Sequence, residues 1–490
     1  VHRFTRVNGP AEVIETHTST LFFVGDLVYK LKKAVDFGFL DFRDRSARRS
    51  ACEAEVALNR RLAPDVYLGV AELLGPEGVS WDSLVVMRRM PTERRLSNLV
   101  TRGPLTADTS AGLRSLGILM AAFHKRCETT PEIASAADPE ALRRLWGDNL
   151  GVLHGVVDGT TISEIERLAL RFLDGREPLL RQRQQLGMIR DGHGDLQADD
   201  IFMLDDGPRV LDCLEFDARL RYGDVLNDVA FLAMDLIRLS AAEASRVFLE
   251  AYAESSGEHH PRSLENFYLA YRAGVRSKVA CLRLAQGEPA AAELARHFAA
   301  LALTHLKRAN VRLVLVGGLP GTGKSTVAAA IAAADPDVAW LVLRSDVVRK
   351  QLAGIPLGGP AATAFDTGLY DSASRQRTYD ELFQLAHEAL QLGLSVIIDA
   401  SFTDETQRRT ALKVAGETSS SLIELECQAP DEVVAERLLT RAKRGGDASD
   451  ADLTIAHAMS LQAAPWPSAI TLDTTGDLQV VVHKALAEIL

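Results

Sequence analysis

Two domains of different class are predicted: an α+β domain over residues 1–308 and an α/β domain with a parallel sheet over residues 309–490. Three observations carry this expectation. Beyond Arg312, short β-rich runs alternate with helical stretches, the order of a parallel sheet with crossover helices. The first of those runs opens into Gly318-Leu319-Pro320-Gly321-Thr322-Gly323-Lys324-Ser325, which fits GxxxxGK[ST] at every fixed position. Before residue 308 the order differs: short alternating strands (Thr20–Val24, Leu27–Leu31, Val85–Met90) come first and helical periodicity then dominates.

The whole chain narrows the function classes. Its 490 residues leave room for two to four domains at roughly 150 residues each. A net charge of −11 argues against a general nucleic-acid coat. Cys52, Cys127, Cys213, Cys281 and Cys427 lie far apart with no CxxC pair, so buried thiols are expected rather than disulfides or a zinc site. Apolar stretches such as Leu226–Leu239 are broken by Asp or Arg short of the ~20 residues a membrane span needs. The first residues lack the apolar core of a signal peptide, which makes the cytoplasm the expected location. Nothing in the sequence speaks to an oligomeric state.

In the C-terminal domain the strands are expected at Arg312–Val316, Trp340–Leu343, Ser395–Ile398, Ser421–Cys427 and Ile470–Leu472. Glycines in the loop let successive backbone N–H groups face phosphate oxygens, and the helix that starts at Lys324 adds its positive dipole end. Lys324 supplies a point charge to the β and γ phosphates. Ser325 is placed to ligate Mg²⁺, with Thr326 next in the helix's first turn. Loops at the carboxyl ends of parallel strands converge on the ligand. Asp346 and Asp399 follow two of those strands, so both are expected to face the loop: Asp399 as the acid that steadies Mg²⁺, Asp346 as the carboxylate that orients or deprotonates an acceptor hydroxyl. Arg349, one turn on, would hold an anionic acceptor. Arg437, Arg441 and Arg444 share a helical spacing ahead of the loose stretch Gly445–Asp452 and could close over a transferring phosphoryl group.

GLPGTGKST, LRSDVVRKQL, VIIDASF and ERLLTRAKR together resemble the P-loop kinases that include zeta toxins, gluconate kinase and polynucleotide kinase. The resemblance covers about 310–490. It implies an ATP-binding domain in which Asp346 activates the acceptor, Lys324 is the phosphate lysine, and Arg437 or Arg441 is a lid arginine.

The other chemically loaded stretch is His193-Gly194-Asp195-Leu196-Gln197-Ala198-Asp199-Asp200, followed by an apparent turn at Asp205–Pro208 and by Asp212. A hairpin there can bring Asp195 to an acceptor hydroxyl and Asp200 and Asp212 to Mg²⁺. The stretch resembles the HGDxxxxN catalytic loop of aminoglycoside phosphotransferases and protein-kinase-like kinases, which implies a bilobal kinase-like fold. The same resemblance makes Asp212 the metal-binding aspartate, Lys30 in VYKLKK the lysine that contacts ATP phosphates, and Glu55 its helix partner. Lys32 and Lys33 compete with Lys30, and Glu53 competes with Glu55. Met87–Met90 would be the hinge, and Thr16–Thr20 would stand in for the glycine-rich loop of protein kinases.

One departure is Asp200 where the family has asparagine. An aspartate can ligate Mg²⁺ but adds a charge beside Asp195 and Asp212, which should raise carboxylate pKa values without metal. A helix over Phe267–Leu284, carrying Tyr268, Tyr271, Arg272, Arg276 and Lys278, is read as an amphipathic core helix or the wall of an anionic-acceptor pocket. His259-His260 is read as no metal site.

The whole chain resembles bacterial fusions of an aminoglycoside-phosphotransferase-like domain with a P-loop kinase domain. That implies a kinase using ATP and Mg²⁺ to phosphorylate a hydroxyl of a small molecule. Two alternatives stand beside it: a nucleotide-sensing regulator whose N-terminal domain is a pseudokinase, favoured by Asp200, and a nucleic-acid 5′-hydroxyl kinase, disfavoured by the acidic net charge.

Overall fold

A computed structural model describes residues 12–16, 18–36, 41–75, 77–335, 338–356, 372–444 and 453–489. By contacts the chain divides into two compact units. The first comprises residues 1–142, 183–259 and 271–276; the second comprises 143–182, 260–270 and 277–490. Helices that precede residue 309 in the chain therefore group with the P-loop half.

The first unit holds a five-stranded antiparallel sheet of β1 (Glu12–Glu15), β2 (Ser19–Val24), β3 (Leu27–Lys32), β4 (Tyr67–Leu74) and β5 (Ser80–Arg88), in the order β1-β2-β3-β5-β4. The helix Arg45–Asn59 packs on it through Cys52 and Val56. Side chains alternate along a strand, so Lys30 and Lys32 share one face of β3 while Lys33 does not. Short pairs follow: β6 (Ile189–Asp191) with β9 (Tyr222–Asp224), and β7 (Ile201–Leu204) with β8 (Gly207–Val210). The apolar stretch from Leu226 is the buried helix Val225–Arg238, capped by Asp224, whose side chain accepts the Leu226 N–H.

In the second unit the five expected strands form one parallel sheet. They are β10 (Arg312–Gly317), β11 (Trp340–Arg344), β12 (Ser395–Asp399), β13 (Ser421–Gln428) and β14 (Ile470–Asp473), ordered β11-β12-β10-β13-β14. Alternation splits the core. Leu313 and Leu315 face Tyr379, Leu382, Phe383 and Trp466 on one side. Val314 and Val316 face Val327, Ile331 and Val481 on the other. With β10 central and its neighbours running to opposite edges, the order reverses at β10, and that is where a ligand crevice opens.

Helical residues 143–182 are tied to this sheet domain by Arg176, which is 1% exposed. Its guanidinium donates to the carbonyls of Leu390 and Thr418 and, at 3.2 Å, to Ser420 Oγ. Ser263 Oγ likewise donates to the Gly393 carbonyl at 2.7 Å. Among the described residues no helix is long and apolar enough to cross a membrane, and all five cysteines are free and buried.

Candidate functional site

Gly318–Gly323 link β10 to the helix Lys324–Ala334. Gly318, Gly321 and Gly323 have φ of 131°, 86° and 89°, which suit glycine. A Cβ on Gly318 would stand 2.4 Å from the Cys427 carbonyl oxygen, so the loop also needs glycine for close approach. Lys324 Nζ donates to the Leu319 carbonyl at 3.0 Å, curled over its own loop.

A cavity of about 480 Å³ opens there, lined among others by Lys324, Ser325, Asp346, Asp399, Arg437 and Arg441. The two acids expected to face the loop therefore do. Asp399 ends β12 and hydrogen-bonds the Ser325 hydroxyl. Burial raises its pKa, and the Lys324 charge works against that rise. Asp346 lies in the first turn of the helix Ser345–Leu352 and accepts from Arg349 at 2.7 Å. Arg437, on the helix Asp431–Arg444, donates to the Thr474 carbonyl at 2.6 Å and to Thr474 Oγ1 at 3.1 Å. Thr474 Oγ1 in turn donates to the Thr322 carbonyl at 2.7 Å, so this arginine is fixed to the P-loop backbone. Gly445–Asp452 and the Arg444 side chain lie outside the described residues.

In the first unit, Glu55 is fully buried and serves two lysines: Lys30 Nζ at 2.9 Å and Lys32 Nζ at 2.7 Å. Lys30 also reaches Asp212 Oδ1 at 2.6 Å, and Lys32 pairs with Glu215. Lys33 instead meets Glu15 at 2.9 Å, and Glu53 pairs with Arg49 on the surface. Glu53 and Glu55, two residues apart on a helix, point to different sides.

The β7–β8 hairpin turns at Asp205-Asp206, and its ladder extends outward through Leu211 N–H to Asp200 O at 2.9 Å. Asp200 and Asp212 thus flank the hairpin's open end. Burial, then Asp212 and Asp195, drive the Asp200 carboxyl well above its usual range. Burial also lifts Asp195, to about 6, against the opposing charge of Arg276. Asp212 departs from the expectation of raised acids: burial pushes it up, but Lys30 holds it below its ordinary value. Its φ of 64° is a left-handed conformation uncommon for aspartate.

Arg276 lies on the helix Arg262–Ala285, one turn beyond Arg272, whose Nη1 donates to the Gly194 carbonyl at 3.2 Å. Tyr268 and Tyr271 are buried in the core. Thr16 and Ser19 bond each other across the turn between β1 and β2, at 2.8 and 3.0 Å, while His17 lies outside the described residues. Met87 is the last residue but one of β5, and both Met87 and Met90 pack on the core cluster of Val85 and Phe202. His260 pairs with Glu265 at 3.2 Å.

These geometries can be set beside known proteins. Residues 26–267 match the model of the phosphotransferase enzyme family, and residues 313–465 match the AAA domain model. Uncharacterized proteins of Mycobacterium tuberculosis (strain H37Rv) and Mycobacterium bovis are each 41% identical over 481 residues, covering 97% of this chain and 94% of theirs. The chain belongs to their family. Within this phosphotransferase–AAA fusion family the paired domains indicate a kinase or phosphotransferase that uses nucleotide. Among solved structures, the chain is similar to a choline/ethanolamine kinase family protein from Mesorhizobium loti, at 17% identity over 61% of this chain and 93% of that one (TM-score 0.38). It is also similar to a gluconokinase from Sinorhizobium meliloti 1021, at 19% identity over 36% and 91% (TM-score 0.26).

Sequence reading passed over two acids that shape the fusion protein's first site. Asp228 and Asp235 sit seven residues apart on one face of the helix Val225–Arg238. Asp228 accepts the N–H groups of His193 at 2.7 Å and Gly194 at 2.9 Å, and Asp235 accepts that of Ala198 at 3.0 Å. Buried carboxylates in an apolar helix need partners; that spacing was the signal.

Proposed function

We propose that the protein is an ATP- and Mg²⁺-dependent phosphotransferase that phosphorylates a hydroxyl of a small molecule, with chemistry at the P-loop site and a second site in the first unit. The observation that carries this is the convergence of Lys324, Ser325, Asp346, Asp399 and Arg437 on one cavity. Backbone N–H groups of Gly318–Thr326 and the Lys324 ammonium bind the triphosphate. Asp346 takes the acceptor proton, and Arg437 with Arg441 offsets charge that builds on the transferring group. Ser325 with Asp399, and Asp200 with Asp212, are adjacent hard oxygen donors that suit Mg²⁺, which neutralises phosphate charge when bound. In the first unit Lys30, set by Glu55, meets the phosphates and Asp195 orients the acceptor.

A second reading, a nucleotide-sensing regulator with a pseudokinase domain, is favoured by Asp200 crowding Asp212 and Asp195. ATP turnover over a panel of sugars, aminoglycosides and nucleotides tests both, using wild type, Lys324→Ala and Asp195→Ala. Transfer lost in Lys324→Ala but unchanged in Asp195→Ala supports the regulator. Acceptor phosphorylation that persists in Lys324→Ala shows a working first site. No transfer by wild type to any acceptor overturns the kinase reading.

A further inference from the structure

Five side chains of alternating charge form a row in the first unit. From the open end inward it runs Asp212, Lys30, Glu55, Lys32 and Glu215, each against its opposite. The Asp212 side chain is 45% exposed, that of Lys30 13% and that of Lys32 1%. The two lysines that share a face of β3 thus differ in depth. Lys30 reaches the open end, and Lys32 is closed off behind Glu55.

Lys32 sits in a built socket. Glu55 and Glu215 flank its ammonium, and the Phe42 ring centroid lies 5.3 Å away, close enough for a cation–π contact. Phe42 is buried against Ala51 and Phe216, and its carbonyl takes a guanidinium N–H of Arg48 at 2.7 Å. Burial works to discharge Lys32, but Glu55 and then Glu215 outweigh it, so the ammonium keeps its charge. Glu215 is placed as firmly, because the three residues before it are each tied. The Asp212 N–H donates to Tyr67 Oη at 3.1 Å, that of Cys213 to Asn59 Oδ1 at 2.8 Å and that of Leu214 to the His193 carbonyl at 3.2 Å. Asn59 in turn donates to the Glu55 carbonyl at 2.9 Å.

A buried carboxylate stripped of its cation is strongly unfavourable. Were Lys30 the sole partner of Glu55, its turn toward a phosphate would leave that acid bare. We propose that Lys32 is a positioning residue of the first site: it stays with Glu55 and Glu215 as their standing counter-ion, which frees Lys30 to turn from Asp212 to the nucleotide phosphates. This rests on the reading that Lys30 meets those phosphates. The balance of charge behind Lys30 then sets the affinity. Removing the inner cation draws Lys30 inward, and removing the inner anion does not.

The test labels the full chain with an acyl-phosphate derivative of ATP, whose acyl group passes to an amine held at the phosphates and releases ATP. Mass spectrometry maps the modified lysine. Protection by a non-hydrolysable ATP analogue at saturating Mg²⁺, read on Lys30 alone, gives the affinity of this site whatever the P-loop holds. In the wild type Lys30 should be acylated and Lys32 should not. Lys32→Gln keeps N–H donors for both acids but loses the charge, and should raise the half-protecting concentration roughly tenfold or more. Glu215→Gln should leave that concentration level or lower it, whereas a residue needed only for packing would raise it in both variants. Lys32→Gln combined with Glu215→Gln should return it to within about threefold of wild type. Acylated Lys32 overturns the proposal, as does a half-protecting concentration that Lys32→Gln leaves unchanged or Glu215→Gln raises. Should Lys32→Gln not fold, the double variant decides, and a roughly tenfold weaker affinity there overturns the proposal. Absence of label from both lysines, or label on Lys30 that the analogue does not prevent, overturns the phosphate reading of Lys30 itself and the proposal with it.

Discussion

Asp228 accepts the backbone N–H of His193 at 2.7 Å through Oδ2, the same oxygen that meets His124 Nε2 at 3.0 Å, while its Oδ1 takes the Gly194 N–H at 2.9 Å. One buried carboxylate thereby sets the backbone just ahead of Asp195. Burial alone would raise its pKa, but His124 holds it well below the carboxylate range, so it stays charged.

Replacing it with an amide of the same shape should break this arrangement. In Asp228→Asn one donor must face another, which leaves a buried N–H unsatisfied at a cost of about 1–3 kcal/mol. The expected result is a lower melting temperature and a drop of roughly 100-fold in turnover assigned to the first site. Calorimetry and Asp195-dependent kinetics measure the two effects. Because the folded-state pKa is depressed, the carboxylate's stabilisation is present at neutral pH and fades only as pH falls below about 4.

A second prediction concerns Asp195, raised to about 6 by burial with Arg276 as the chief opposing charge. A base must be ionised to work, so first-site kcat/KM should fall on the acid side with a limb near that value. Arg276→Gln removes the opposing charge and should move the limb upward by about 1 unit. The raised carboxyl also affects folding: the native state keeps a proton that the unfolded chain has lost, so its contribution to stability falls as pH rises from 3.8 to about 6.

The third prediction concerns Asp200, forced well above its usual range by burial and then by Asp212 and Asp195. Asp200→Asn relieves that repulsion, so the metal-free protein should melt at a higher temperature near neutral pH. It also removes an anionic oxygen ligand, and the Mg²⁺ concentration needed by the first site should rise roughly tenfold. Thermal melts with and without Mg²⁺ read both effects. A large gain in first-site turnover would instead mean that the aspartate restrains catalysis.

What the sequence revealed follows from how far apart the cooperating residues lie. The P-loop is contiguous, and each β10–β14 run is a short apolar stretch between loops, so loop and sheet were legible together. Lys30 and Lys32 could not be separated because a strand's period of two puts both on the face that meets Glu55. Asp228 and Asp235 read as interruptions in an apolar stretch because their partners are backbone N–H groups, which leave no trace in residue identity. Arg375 and Tyr379 belong to no motif, and only the packing of their helix against β12 brings them to the cavity. The grouping of residues 143–182 with the P-loop half rests on contacts more than 200 positions apart, such as Arg176 with Leu390.

That last contact supports a prediction about stability. Arg176 is 1% exposed, and burial brings its pKa down to about 9, so it remains charged at neutral pH. It donates to the carbonyls of Leu390, near the end of the helix Ser372–Gln391, and of Thr418, just past the helix Glu405–Glu417. Both are helix C-termini, where orphan carbonyls and the dipole favour a cation. Arg176→Met keeps much of the apolar stem but strands these acceptors, which should cost about 2–4 kcal/mol. Denaturant unfolding should show an earlier transition with an unchanged slope if the helices over 143–182 and the P-loop domain unfold as one cooperative unit. A new early transition that leaves P-loop nucleotide binding intact would mean that the helices are an independently unfolding attachment.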